Sequence, residues 1–303
     1  MRFIQCLACL LALALVPVAT AEALPIDGIA IGQSESDGRA ALDAACQAVT
    51  RIEIAETRFP MARFSEVHLR CESLTLANGQ AGGDALLTFA DDALVMLEYR
   101  GAVDAFAPDR EPAGAVGEFE AFVPDWIVVN RATGQAFVLA SPELLTLAVA
   151  WDNPAWVTDT LTAPQGESAI PDGFAFGAAL EDVSALADDQ CGLVQLEMID
   201  EIWLETGPAV QHQINCYGVD MGGYPRKFEL VFGDGHLEQM WILFSQMDIP
   251  RLRADLTERF GPAIHVDETY EAFNGWRIAI RKDNPELRVG SEALAAIWQS
   301  RTP

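Results

Sequence analysis

The chain has 303 residues, 50% of them hydrophobic, and carries 45 acidic against 19 basic side chains for a net charge of −26. That length and apolar content are enough for two folded cores. So acidic a surface repels phosphate backbones and anionic lipid faces, and no basic stripe relieves it, which argues against nucleic acid as a partner and fits an exported protein kept in solution by its charge.

Residues 1–21 read MRFIQCLACLLALALVPVATA: one Arg, an apolar run from Cys6 to Val18, and a closing Ala-Thr-Ala. This composition predicts a secretory signal peptide, with a run too short and wrongly flanked for a membrane anchor. Cleavage near Ala21 leaves an exported chain, periplasmic or secreted, with no transmembrane segment. Its remaining cysteines are Cys46, Cys71, Cys191 and Cys216. An even count in an oxidising compartment reads as two disulfides.

The phrase DGIAIG at 27–32 has glycines at the wrong spacing for a dinucleotide site and reads as a tight turn with a close strand approach; in its later copy Phe174-Ala175-Phe176 reads as a short apolar strand closed by Gly177. Ser34 to Asp37 resembles a capping box, and Leu42, Ala45, Cys46 and Val49 recur at helical spacing. Val67, Leu69 and Cys71 alternate with His68 and Arg70, which predicts a strand with one buried face. ALLTFADDALVMLEYR, 85–100, predicts a hairpin turning at Asp91-Asp92. AFAPDREPAGAVG, 105–117, is too rich in Pro and Gly for a helix, and QAFVLAS, 135–141, supplies a later strand.

DGFAFG at 172–177 then restates the opening phrase 145 residues later. At the same offset Cys46 meets Cys191, Val49 meets Val194 and Cys71 meets Cys216; past a gap of two, at offset 143, Phe89 meets Phe232 and Asp91 meets Asp234. A repeat this long predicts duplicated domains rather than a solenoid. The expected organisation is a first α+β repeat at 22–150, a Pro-, Gly- and Thr-rich linker at 151–171 and a second repeat at 172–303. If one ancestral module carried one bridge, the pairs are Cys46–Cys71 and Cys191–Cys216. KFELVFGDGHLEQMWILF, 227–244, is the second hairpin. A helix follows that only the second repeat has, with Asp248 as cap, Pro250 in its first turn, Leu252, Leu256 and Phe260 on one face, and Gly261-Pro262 as the stop.

The expected fold class is α+β: two tandem homologous domains, each a mostly antiparallel sheet covered by one or two helices and stapled by one disulfide. The arrangement loosely resembles small α+β modules of bacterial envelope proteins, such as those of outer-membrane assembly lipoproteins and of β-lactamase inhibitors. The shared cues are only a helix, a few strands and a glycine turn, and no residue is carried over.

No zincin motif, phosphate loop or nucleophile elbow is present. His68, His212, His236 and His265 have no histidine at the matching place in the other repeat, so a site common to both cannot rest on imidazole. His212 falls on the buried phase of its strand. No metal site and no cofactor are expected. The informative positions are those where the repeats disagree. Trp241 stands where the first repeat has Glu98, Leu243 where it has Arg100, and Trp203 where it has Arg58. Alternation places Glu98 and Arg100 toward solvent, so Trp241 and Leu243 should form an apolar patch on an outer sheet face, and such a patch needs a cover. The cover is either the linker or the other domain, through Trp151 and Trp156, or an envelope protein or apolar ligand. The sequence thus points to a non-catalytic exported binding protein using Trp241, Leu243 and Trp203. The alternative is an exported hydrolase with paired carboxylates in the groove between domains.

Overall fold

A computed structural model of the chain describes residues 24–54, 59, 62–123, 125–141, 144, 148, 151–159 and 173–301. The expected signal peptide and residues 160–171 of the expected linker lie outside them.

The chain forms two antiparallel eight-stranded sheets. The first half runs α1 (Glu35–Ala45), β1 (Cys46–Ile54), β2 (Glu66–Leu74), β3 (Asp84–Ala90), β4 (Ala93–Arg100), β5 (Gly114–Val116), β6 (Phe119–Phe122), β7 (Ile127–Asn130) and β8 (Gln135–Leu139). The second runs α2 (Leu180–Gln190), β9 (Leu193–Ile199), β10 (Gln211–Asp220), β11 (Pro225–Gly233), β12 (His236–Leu243), α3 (Ile249–Phe260), β13 (His265–Val266), β14 (Tyr270–Phe273), β15 (Ile278–Arg281), β16 (Glu286–Gly290) and α4 (Glu292–Arg301). The strand order is β1-β2-β3-β4-β8-β7-β6-β5 in one sheet and β9-β10-β11-β12-β16-β15-β14-β13 in the other. In each, four consecutive strands form a meander, and the last strand then docks on the fourth.

The apolar phase of the strands fixes where the helices sit. Leu42 of α1 packs on Leu69, Cys71, Leu87, Phe89 and Leu97. In the second half Val183 and Ala187 of α2, with Leu252 and Leu256 of α3, cover Ile214, Cys216, Leu230 and Phe232. The helix expected only in the second repeat is α3, stopped at Gly261 with φ 83°. Among the described residues no helix is long and apolar enough to cross a membrane.

Both disulfides form as paired from the repeat, Cys46–Cys71 and Cys191–Cys216, each with a sequence separation of 25. Cys46 and Cys191 are the C-caps of α1 and α2, so each bridge ties a helix end to the neighbouring long strand.

Both hairpins turn through two residues of positive φ, Asp91 and Asp92 at 51° and 64°, Asp234 and Gly235 at 48° and 81°. That is the turn whose twist matches paired strands. The Asp91 carboxylate accepts backbone N–H bonds from Arg63, Phe64 and Ser65 at 2.9, 2.7 and 3.0 Å. Burial pushes this carboxyl up, but those bonds outweigh it and hold it below the usual range. Asp234 accepts from Ala209 and Val210 at 2.9 and 3.0 Å.

Three local expectations need correction. Phe174–Phe176 forms no strand: 173–177 is turn and loop, like 27–32, where the glycine-bounded phrase reads as a tight turn. Gly32 and Gly177 take φ of 85° and 83°, and each N–H donates at 2.8 Å, to the carbonyls of Leu94 and Leu237. Val49 and Val194 leave the helices and lie in β1 and β9, because the chain turns extended at the cysteine cap. The helix α4, formed by Glu292–Arg301, has no counterpart among the sequence expectations.

Candidate functional site

The face of the second sheet turned away from α2 and α3 carries Trp241 and Leu243, paired across β12–β16 with Arg288 and Glu286. It is covered by α4. Leu294, Ala295 and Trp298 of that helix bury themselves against Leu204, Val231 and Trp276, with half-buried Trp241 packed alongside. Trp298 Nε1 donates to Glu205 Oε2 at 2.9 Å and ties the helix down. Inside this layer the Arg288 guanidinium lies over Trp298 at 3.9 Å, Tyr270 at 4.4 Å, Trp276 at 5.7 Å and Trp241 at 5.9 Å. Burial pulls its pKa down, and the aromatic faces supply the negative potential that an ion partner otherwise would. Trp241 is therefore one wall of a cation box. Arg288→Ala should cost about 3 kcal/mol in urea unfolding, and Arg288→Met clearly less because its stem still fills the box. Equal losses from the two would show that the stem's packing is irrelevant and that the charge carries the whole contribution.

Leu243 is half-buried at the edge of this layer, beside an ionisable strip. Lys227 Nζ meets Glu229 Oε1 at 2.6 Å, and Arg281 Nη1 meets Glu286 Oε2 at 3.2 Å. Burial first, and repulsion from Glu229, push Glu286 up to about 7 against the pull of Arg281. Trp203 sits apart from both, in the β9–β10 loop, 43% exposed, with its N–H on Gln211 Oε1 at 3.1 Å. The structure thus brings Trp241 and Leu243 onto one strand face and leaves Trp203 outside it.

The expected solvent position of Glu98 is overturned. Residues 151–159 lie on that face of the first sheet and cover it. The Trp156 indole N–H donates to Glu98, and Arg70 Nη1 donates to the Ala155 carbonyl at 2.9 Å. Arg100 lies 4.3 Å over the Trp156 ring and pairs with Asp152 at 3.2 Å. Burial drives the Glu98 carboxyl up to about 8. Trp151 contacts Phe59 of the first half at 6.4 Å and Tyr224 of the second at 5.2 Å.

On the same covered face, Glu66 Oε1 meets His68 Nε2 at 3.0 Å and His68 Nδ1 meets Thr88 Oγ1 at 2.9 Å. Carboxylate, imidazole and hydroxyl follow the connectivity of a nucleophilic triad. All three side chains are fully buried, and Glu66 Oε2 also accepts the Phe59 N–H at 2.9 Å. The chain of bonds joins β2 and β3 to the crossing loop and offers a substrate no approach.

The clearest difference between the halves lies at their matching outer strands. On β1, Arg51 binds Glu35 of α1 at 2.5 Å and Glu53 at 2.7 Å. The Glu35 bond first, then Glu53, raises the already high Arg51 pKa. At the offset of 145 these three residues correspond to Leu180, Leu196 and Met198. Leu196 is 54% and Met198 67% exposed, on the α2 side of β9. A groove of about 610 Å³ runs between α2 and β9, lined by Leu180, Ser184, Ala185 and Leu196 with Glu181 and Asp188 in its walls. Among the described residues β9 pairs only with β10, so its other edge has backbone groups available to a further strand. Sequence reading missed this site because it assigned Val194 to a helix. The substitution of an ion triad by three apolar residues was visible in the repeat alignment.

Comparison of the chain with protein-family models, with curated proteins and with solved structures gives no match.

Proposed function

We propose that the chain is an exported, non-catalytic interaction protein made of two tandem modules, 22–150 and 172–303, joined by a linker at 151–171. The observation that carries the reading is the exchange of Glu35, Arg51 and Glu53 for Leu180, Leu196 and Met198 at matching sheet edges. Charged side chains at an edge strand discourage further pairing, and an apolar edge invites it. In this reading the second module's β9 edge is the binding surface. Trp203 adds exposed apolar area in the same module, and Trp241 and Leu243 belong to the scaffold behind it.

The tandem origin is supported by the shared strand order, the equal disulfide spacing and the paired carboxylate-capped turns at Asp91 and Asp234. Export is supported by the predicted signal peptide at 1–21 and by the two disulfides.

A photoreactive residue placed at Met198 of the full-length chain, expressed in its own cell envelope, should give cross-linked adducts. The same residue at Glu53 should give none. Equal labelling at the two edges, or none at either, would refute the reading.

A second reading, an exported hydrolase working through carboxylates, has Glu286 in its favour, a group at about 7 with Glu229 as its neighbour. Glu286→Gln would then abolish hydrolysis of a glycoside panel while the chain still folds cooperatively.

A further inference from the structure

We infer that the occupant of the β9 edge is β9 of a second copy, giving a two-fold dimer in which the second-half sheets of both copies run into one. This rests on the reading of β9 as the binding edge.

The strand reads Leu193-Val194-Gln195-Leu196-Glu197-Met198-Ile199, and it is self-complementary about Leu196. Set antiparallel on its own copy with the two-fold axis at Leu196, Leu196 faces Leu196, Val194 faces Met198, Leu193 faces Ile199, and Gln195 faces Glu197. Every directly opposed pair on the α2 side is apolar. On the other side each Glu meets a Gln, so no two like charges stand opposite. Directly opposed side chains set the energy of strand pairing, and like charges there oppose it. A two-fold interface also requires one patch to complement itself.

The same operation on β1 about Arg51, the counterpart of Leu196, sets two guanidinium groups against each other. The edge that holds Arg51 therefore refuses a copy of itself, and the edge that holds Leu196 accepts one. The apolar side chains gaining cover are those that stand out of the fold, Leu196 and Met198, closing over the groove beneath α2.

Charge sets the conditions. Pairing brings each copy's Glu181 and Asp188 toward the other's, on top of a net charge of −26 per chain. Apolar association opposed by like-charge repulsion tightens as salt rises. A basic partner on the same acidic groove would do the reverse.

The test is sedimentation of the mature chain across concentration and salt, alongside three variants. The wild type should show a monomer–dimer equilibrium that shifts to dimer with added salt. Leu196→Arg, which installs the first half's residue at an exposed position, should weaken dimerisation about 100-fold, as like-charge juxtaposition does. Leu196→Cys should form a covalent dimer under oxidation, since directly opposed residues in antiparallel strands lie about 4.5–5.5 Å apart at Cα, within disulfide range. Gln195→Cys, which faces position 197, should not. A wild type monomeric under every condition overturns the dimer, while cross-linking from Met198 in the envelope would then assign the edge to a different partner. A dimer that survives Leu196→Arg places the interface elsewhere and overturns it as well.

Discussion

Glu98→Gln is expected to stabilise the chain by about 4 kcal/mol near pH 9 and to change almost nothing near pH 4. The Glu98 carboxyl is buried beneath Trp156, and burial raises it from the ordinary 4.5 to about 8. Between those values the folded chain keeps a proton that the unfolded chain has released. The stability that Glu98 contributes is complete below about 4.5 and drains away as pH rises through 8. Glutamine has no proton to lose and keeps an oxygen for the indole N–H. Urea unfolding of both proteins from acid to alkaline pH should give curves that meet in acid and part in alkali. Parallel curves would mean that water reaches the carboxylate and that residues 151–159 do not seal this face.

Replacing Cys191 and Cys216 together by Ser should cost about 3.5 kcal/mol, the chain entropy returned to an open loop of this length. Replacing Cys46 and Cys71 should cost a similar amount, because both pairs have a separation of 25. Each bridge lies inside one half, so the losses should fall on different regions. Hydrogen exchange after removal of the second bridge should rise in β9 and β10 and stay unchanged in β1 and β2. Deprotection spreading equally through both halves would show that they unfold as a single unit, with the Trp151 contacts binding them.

Much of the meander in each half could be read from the residues. The alternation around Cys71 and Cys216, the turns at Asp91 and Asp234, and α3 from Pro250 to its stop at Gly261 all carry local chemistry that admits one structure, whereas the Asp248 carboxylate, expected as the cap of α3, binds Ser245, Arg226 and Arg251 instead. The edge strands β1 and β9 were lost because Cys46–Val49 and Cys191–Val194 continue a helical spacing of apolar residues, and only a switch of backbone at the cysteine ends it. Alternation also misled at Glu98. It separates two faces but cannot say that both are covered, and here residues 151–159 cover one from far along the chain. Likewise Trp241 signalled an apolar outer face correctly, while α4, which covers it, begins some fifty residues later. The exchange of Arg51 for Leu196 needed no structure to be seen. It needed the structure to show that both positions stand on a sheet border.

The docking of β8 on β4 has a consequence for how the first half is made. Synthesis delivers β4 well before Gln135–Leu139, the segment that pairs with it. Until that segment emerges, Ala-Leu-Val-Met-Leu-Glu-Tyr-Arg lies along a bare border, the kind of stretch that recruits neighbours into aggregates. Its Glu98 and Arg100 are both ionised while the chain is open at neutral pH, and these charges keep the end of that border hydrated. The acid that burdens the finished sheet in alkali thus guards the nascent one.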